Sequence, residues 1–266
     1  MALKLRKLSP HIGAEIQDID LNQDQATETI AAINQAWFDN IILLFRGQNL
    51  SPERQVHVTG WFGRMGAIAR PKEDFPPGYG ALPDGVMLIS NIRENGEPIG
   101  ALPDGEMMFH HDMMHAELPH KATMLNAVEI PSHGGNTLFA SGYAAYDTLP
   151  DDIRTPLEGK RAFHHYNYGT TVKGKGDGIE AFAESSHPAF RTHDDTGRKA
   201  IYVNRLMTEG IVDMDQAEAD RLLAAVFDHS ESPEFVYEHE WQVGDLLLWD
   251  NRCSMHARTD FPETER

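Results

Sequence analysis

Short apolar runs, each closed by glycine, proline, asparagine or aspartate, recur along the whole chain and narrow its architecture. Residues 41–45, 123–128, 137–140, 161–166, 200–203, 235–238 and 245–250 are rich in β-branched, aromatic and leucine side chains, and each reads as a short strand. Residues 86–90 read as one more strand inside a loop-rich stretch at 72–105. Helix signals are fewer. Alanines and isoleucines at helical spacing predict a helix over 23–39, and Ser51-Pro52-Glu53 is a helix start with serine as cap and proline in the first turn. Residues 142–149 and 151–157 predict two short helices, and 214–229 a longer one with Leu222, Leu223, Val226 and Phe227 on one face. Strands do not alternate with helices and no Gly-x-Gly-x-x-Gly turn occurs, so a dinucleotide-binding fold has no support. The expectation is a mainly β, or α+β, domain with flanking helices.

Composition narrows the function. A chain of 266 residues suits a single domain, expected to span 1–266, and 41% hydrophobic residues exclude disorder as its main state. The net charge of −18 excludes ordinary nucleic-acid binding, whose main affinity term is neutralisation of phosphates, and obliges any anionic ligand to find a local basic pocket. No apolar run is long enough for a membrane span or a signal peptide, so a cytoplasmic protein without membrane contact is expected. A single cysteine, Cys253, excludes an internal disulfide framework. The hexapeptide Gly-Ala-Leu-Pro-Asp-Gly occurs at 80–85 and again at 100–105; the flanks differ, so it reads as two similar turns rather than a repeat unit. The glycine-rich stretch 169–178 reads as a mobile loop and a candidate lid.

Chemistry concentrates in Phe109-His110-His111-Asp112-Met113-Met114-His115. If this stretch is extended, His110 and Asp112 share one face, with His111 on the other. An imidazole and a carboxylate so placed can hold one metal ion, and His256, just past the apolar strand at 245–250, can complete the set. Two histidines and one carboxylate form the facial triad of non-haem Fe(II) oxygenases, which leaves coordination positions open. A lone thiolate would point to copper or zinc, which makes Cys253 a poor ligand.

With those residues in place the chain resembles the TauD/TfdA family, the taurine dioxygenase and 2,4-dichlorophenoxyacetate dioxygenase family. The resemblance rests on LSPHIGAEIQDIDL at the start, IILLFRGQNLSPERQ with WFG following, His-x-Asp after an aromatic residue, Gly-Gly-Asn-Thr about twenty residues on, and WDNRCSMH near the C-terminus. It implies a double-stranded β-helix, a cupin-like jelly roll with helices outside, and an oxidoreductase that couples substrate oxidation to decarboxylation of 2-oxoglutarate, with Fe(II) as metal and O2 as the other cosubstrate. Carried over residue by residue, His110, Asp112 and His256 match the iron ligands. Thr137 matches the threonine that hydrogen-bonds the distal carboxylate of 2-oxoglutarate, and Arg266 is the nearest match to its arginine partner. The family continues into a further strand that this sequence does not include, so a domain lacking its C-terminal strand is expected.

The resemblance implies a small, often anionic organic substrate: an aryloxyalkanoate, a sulfonate or a sulfate. Arg70, Glu106 and Met113 are candidate substrate contacts. Phe109 stands where the family often has tryptophan, and Glu106 where taurine dioxygenase has asparagine, which argues against taurine itself. His111 and His115 read as supporting or surface residues with substrate contact as the alternative, Trp249 and Asn251 as structural, and Arg252 either as a charge-assisted partner of a carboxylate or as a structural partner of an acidic neighbour. A divalent-metal hydrolase or isomerase on the same site, and a non-catalytic protein that binds a small acid, are the alternatives; self-association is left open.

Overall fold

The structure is a computed structural model that describes residues 3–66, 82–95, 97–98, 100, 105–167, 170–173 and 182–262. The strands are β1 (Lys4–Lys7), β2 (Ala14–Gln17), β3 (Ile42–Phe45), β4 (Arg93–Glu94), β5 (Glu97–Pro98), β6 (Met107–His110), β7 (Ala122–Asn126) and β8 (Thr137–Ser141). They continue as β9 (Arg161–Asn167), β10 (Phe182–Pro188), β11 (Phe190–Thr192), β12 (Lys199–Ile201), β13 (Thr208–Ile211), β14 (Val236–His239), β15 (Leu246–Asp250) and β16 (Ser254–Arg258). The helices are α1 (Thr27–Asn40), α2 (Pro52–Thr59), α3 (Gly142–Thr148), α4 (Asp151–Leu157) and α5 (Gln216–Ser230).

The apolar runs of β3 and β15 explain the layering. Every residue of both is buried, the mark of strands covered on two faces. Leu43, Phe45, Leu246 and Leu248 point one way, onto Ile33 and Trp37 of α1 and Val58 of α2. Ile42, Leu44, Leu247 and Trp249 point the other way, onto Phe139 of β8 and Tyr143 of α3. β15 is central in a sheet ordered β1-β2-β3-β15-β7, and a second sheet, ordered β14-β8-β16-β6, holds the opposite wall. A sheet ordered β10-β9-β13 and the β11-β12 pair extend the fold, with α5 packed on β13. A separate cluster of Leu157, Ala162, Ile201, Leu222 and Val226 fills the space under α5. These facing sheets with helices outside are the jelly roll that the resemblance implies.

Local rules account for the helix ends. The Ser51 hydroxyl accepts from the Arg54 amide at 3.2 Å and Pro52 opens α2, as expected. Asp215 caps α5 by accepting from the amides of Ala217 and Glu218, which starts that helix two residues later than the apolar spacing suggests. Residues 86–90 form no strand, and the short β4 lies beyond them, paired with β5. The lid candidate at 169–178 lies largely outside the described residues, as do residues 80–81 and 101–104 of the two hexapeptides. No helix among the described residues is long and apolar enough to cross a membrane.

Gly142 opens α3 where the helix presses on the turn between β15 and β16. Its amide donates to the Cys253 carbonyl at 2.8 Å, and a Cβ there would sit 2.8 Å from that same oxygen and 3.0 Å from the Ile201 carbonyl. Neither backbone can yield cheaply. Gly142→Ala is expected to lower unfolding free energy by about 1–3 kcal/mol, the usual cost of overpacking, read from urea denaturation.

Candidate metal centre

β6 ends at His110, and the chain then turns through Asp112 and Met113, whose φ of 57° is left-handed. The strand ends two residues short of the carboxylate: Asp112 sits in the turn that follows, closed from Met114 N–H to His111 O, while His111 turns away onto Tyr202. His256 does not merely follow a strand; it lies inside β16, which pairs with β6 so that His256 faces His110. The two rings are 4.1 Å apart between centroids. Each Nε2 lies 3.7 Å from Asp112 Oδ1, and the donor atoms of His110, Asp112 and His256 all fall within 4.8 Å of one another.

The surroundings fix which atoms face the centre. His110 Nδ1 lies 2.9 Å from the Met108 carbonyl, which can only accept, so Nδ1 carries the proton and Nε2 keeps its lone pair for a cation. The His256 ring is walled by Trp249 at 4.9 Å and Phe139 at 5.9 Å, and burial pushes its pKa down to about 3, which keeps it neutral. Burial alone would raise the Asp112 carboxyl, but the neighbouring imidazoles and the Thr123 hydroxyl outweigh it and hold the group far below the ordinary carboxylate range. Two neutral imidazoles and one carboxylate in this arrangement fit a divalent cation with open positions.

A chain of hydrogen bonds stands behind the carboxylate. Thr123 Oγ1 donates to Asp112 Oδ2 at 2.6 Å, Asn251 Nδ2 donates to Thr123 Oγ1 at 2.9 Å, and Trp249 Nε1 donates to Asn251 Oδ1 at 3.0 Å. Thr123 and Trp249 are cross-strand partners of β7 and β15, which brings the links together. Trp249 and Asn251, read as structural from sequence, thus brace Asp112, and Thr123 is a member that sequence reasoning missed.

Thr137 opens β8, opposite Arg258 of β16 and two residues from Phe139, which pairs with His256. It shares the face of Phe139 and lies about 7 Å farther along the strand. Trp241 Nε1 donates to its hydroxyl at 3.0 Å, another contact that sequence reasoning missed. Beyond β16 the chain keeps its pairing: Thr259 N–H donates to the Asn136 carbonyl at 2.9 Å and Gly135 N–H to the Asp260 carbonyl at 3.1 Å. Arg266 and Arg70 lie outside the described residues. Met113 is half-buried in the turn beside Asp112, and Glu106 is exposed just before β6, next to the Gly105 carbonyl that accepts from Arg258 Nε.

His111 and His115 lie against aromatic rings. His111 is buried against Tyr202, with rings 4.7 Å apart, and Asn204 Nδ2 donates to its Nδ1 at 3.1 Å; His115 stacks on Tyr166 at 5.2 Å. A second group with metal-like spacing, His193, Asp250 and Cys253, has another use. Arg252 grips both oxygens of Asp250 from Nε and Nη2, and reaches Asp195 at 2.6 Å. His193 Nδ1 accepts two backbone amides, so its Nε2 carries the proton and donates to Asp250 at 2.9 Å. Burial pushes the Cys253 thiol well above its ordinary value, so it stays protonated. The group is a hydrogen-bonded brace for the β15–β16 turn, and Arg252 pairs with the acidic neighbours Asp250 and Asp195.

Two outcomes are expected. Thr123→Val removes the hydrogen bond to Asp112 and should weaken Fe(II) or Mn(II) binding about 10–100-fold in calorimetry. His164, buried in β9, has its pKa pushed from 6.5 to about 3 by burial, with His187 and Arg161 adding to it. A depressed histidine favours the folded state above the unfolded pKa and loses that contribution as pH falls toward 3. The melting temperature of the metal-free protein should drop between pH 7 and pH 4, and His164→Leu should flatten that slope.

Comparison with known proteins agrees with this geometry. Residues 4–266 match the family described as taurine catabolism dioxygenase TauD, TfdA family. An alpha-ketoglutarate-dependent 2,4-dichlorophenoxyacetate dioxygenase of Cupriavidus pinatubonensis is 32% identical, over 96% of this chain and 92% of that protein. An (S)-phenoxypropionate/alpha-ketoglutarate-dioxygenase of Sphingobium herbicidovorans is 29% identical, over 88% of this chain and 82% of that one. The crystal structure of AAD-2 in complex with Mn(II) and N-oxalylglycine superposes with a TM-score of 0.81 at 25% identity, covering 100% of this chain and 94% of the other. With the strand order, the converging His-Asp-His donors and a family match over nearly its full length, the chain belongs to the TauD/TfdA family of alpha-ketoglutarate-dependent dioxygenases.

Proposed function

We propose that this enzyme hydroxylates a small anionic organic substrate while 2-oxoglutarate is decarboxylated to succinate and CO2, with Fe(II) held by His110, Asp112 and His256. The supporting observation is the convergence of the three donor atoms within 4.8 Å, two of them neutral imidazole nitrogens and the third a braced carboxylate. The iron with O2 and its cosubstrate supplies the oxidising chemistry for a C–H bond. The protein's part is to hold donors, aim the cosubstrate and position the substrate.

Asp112 keeps one oxygen toward the centre because Thr123 occupies the other. Thr137 would donate its hydroxyl proton to the distal carboxylate of 2-oxoglutarate, and Arg266 would supply the charge. The match of Gly-Gly-Asn-Thr and of the late arginine to the family pattern supports that pairing. The named substrates of the two dioxygenases above are aryloxyalkanoates, and we assign the substrate to that class or to similarly small sulfonates or sulfates. In a chain of net charge −18 such an anion needs a dedicated cation, and Arg70 is assigned that role. Glu106 and Met113 are assigned to the pocket wall. A cytoplasmic setting goes with this reading.

Anaerobic titration of the Fe(II)-loaded protein with 2-oxoglutarate should give a saturable visible charge-transfer band that is lost in His256→Ala. Aryloxyalkanoates, alkyl sulfates and sulfonates should then stimulate succinate release, and His110→Ala and Asp112→Ala should abolish it. Iron-dependent succinate formation retained in Asp112→Ala overturns the ligand assignment. Release insensitive to every anion tested overturns the substrate class.

A further inference from the structure

Trp241 has no part in the metal centre, yet it is locked in place. Its ring stands edge-on to His239, with centroids 4.5 Å apart and planes at 88°. His239 is fully buried and is itself held from both sides, by Asp245 Oδ2 at 3.1 Å and the Tyr237 hydroxyl at 3.0 Å. Asp245 is anchored by Arg46 at 2.5 Å and by the Gln242 amide at 2.9 Å. This network ends on one functional atom, for Trp241 Nε1 lies 3.0 Å from Thr137 Oγ1.

An indole N–H can only donate, so Thr137 Oγ1 must accept. The hydroxyl rotor has three staggered positions, and the one aimed at the indole is closed to its proton. Donation into the oxygen also polarises the O–H and makes it the better donor. Thr137 is buried, and its hydroxyl donates to no side chain among the described residues. Its proton is therefore available on the face of β8 that also carries Phe139.

We infer that Trp241 is a positioning residue: its indole N–H orients and polarises the Thr137 hydroxyl so that the proton is presented to the carboxylate of 2-oxoglutarate. This rests on the function proposed above. Trp241 is not among the metal donors, and the effect assigned to it passes through Thr137.

The test measures the affinity of the Fe(II)-loaded protein for 2-oxoglutarate by anaerobic calorimetry, alongside the melting temperature of the metal-free protein. Trp241→Phe, or replacement of Trp241 by the isosteric benzothienylalanine, which lacks only the N–H, should raise the Kd about three- to tenfold, the scale of one hydrogen bond. In a Thr137→Val background the same replacements should change nothing further, and in Thr137→Ser the loss should return. An unchanged Kd in the benzothienylalanine protein overturns the inference. An equal loss with and without the Thr137 hydroxyl also overturns it, since the indole would then act by packing alone. If the unaltered protein fails to bind 2-oxoglutarate, the proposed function falls first, and that outcome is distinct from the other two.

Discussion

The placement of β16 between β8 and β6 decides what the rest of the molecule can do. On one edge its register sets His256 against His110; on the other it sets His256 against Phe139 and Arg258 against Thr137. A shift of one residue would turn every side chain of the strand to the opposite face. His256 would then leave the site, and Thr137 would lose its relation to the metal. The register therefore has to be secured from outside the strand, and the turn before it does so. Asp250, Arg252, His193 and Asp195 form a connected set of hydrogen bonds at the start of β16. Gly142 lets α3 press directly on the same turn.

Support for the site comes from two directions that do not share residues. Trp249, Asn251 and Thr123 brace Asp112 from the sheet containing β15. Arg46, Asp245, His239 and Trp241 reach Thr137 by a separate route. Each line runs through buried polar groups and ends on a residue offered to a ligand. Buried polar groups are costly unless satisfied, so their arrangement in two directed lines is a feature of the site rather than of the core alone.

Much of this was legible in the sequence, for identifiable reasons. Ile-Leu-Leu-Phe and Leu-Leu-Leu-Trp read as strands because burial on both faces leaves no polar residue in them. The order of His-x-Asp, Gly-Gly-Asn-Thr and the late histidine pointed to the ligand set through resemblance. What stayed hidden depended on chain reversal or long-range register. The left-handed backbone at Met113, in the turn just after Asp112, has no signature in a methionine. Thr123 and Trp241 lie 11 and 104 residues from the groups they serve, and only strand pairing reveals them. Strands such as β13, Thr-Glu-Gly-Ile, carry too little apolar patterning to be recognised before their partner β9 is in place.

The paired glycines at 134 and 135 carry a meaning apart from ligand binding. Both have left-handed backbones, and a Cβ at Gly134 would lie 2.3 Å from the Asp260 carbonyl. Any side chain there would wedge apart two segments that run together immediately before Thr137. The requirement is steric and mutual, since neither backbone can move without the other. Position 134 is thus closed to substitution by the chain's own return path, and the glycine spacing in this part of the motif records where the polypeptide crosses itself.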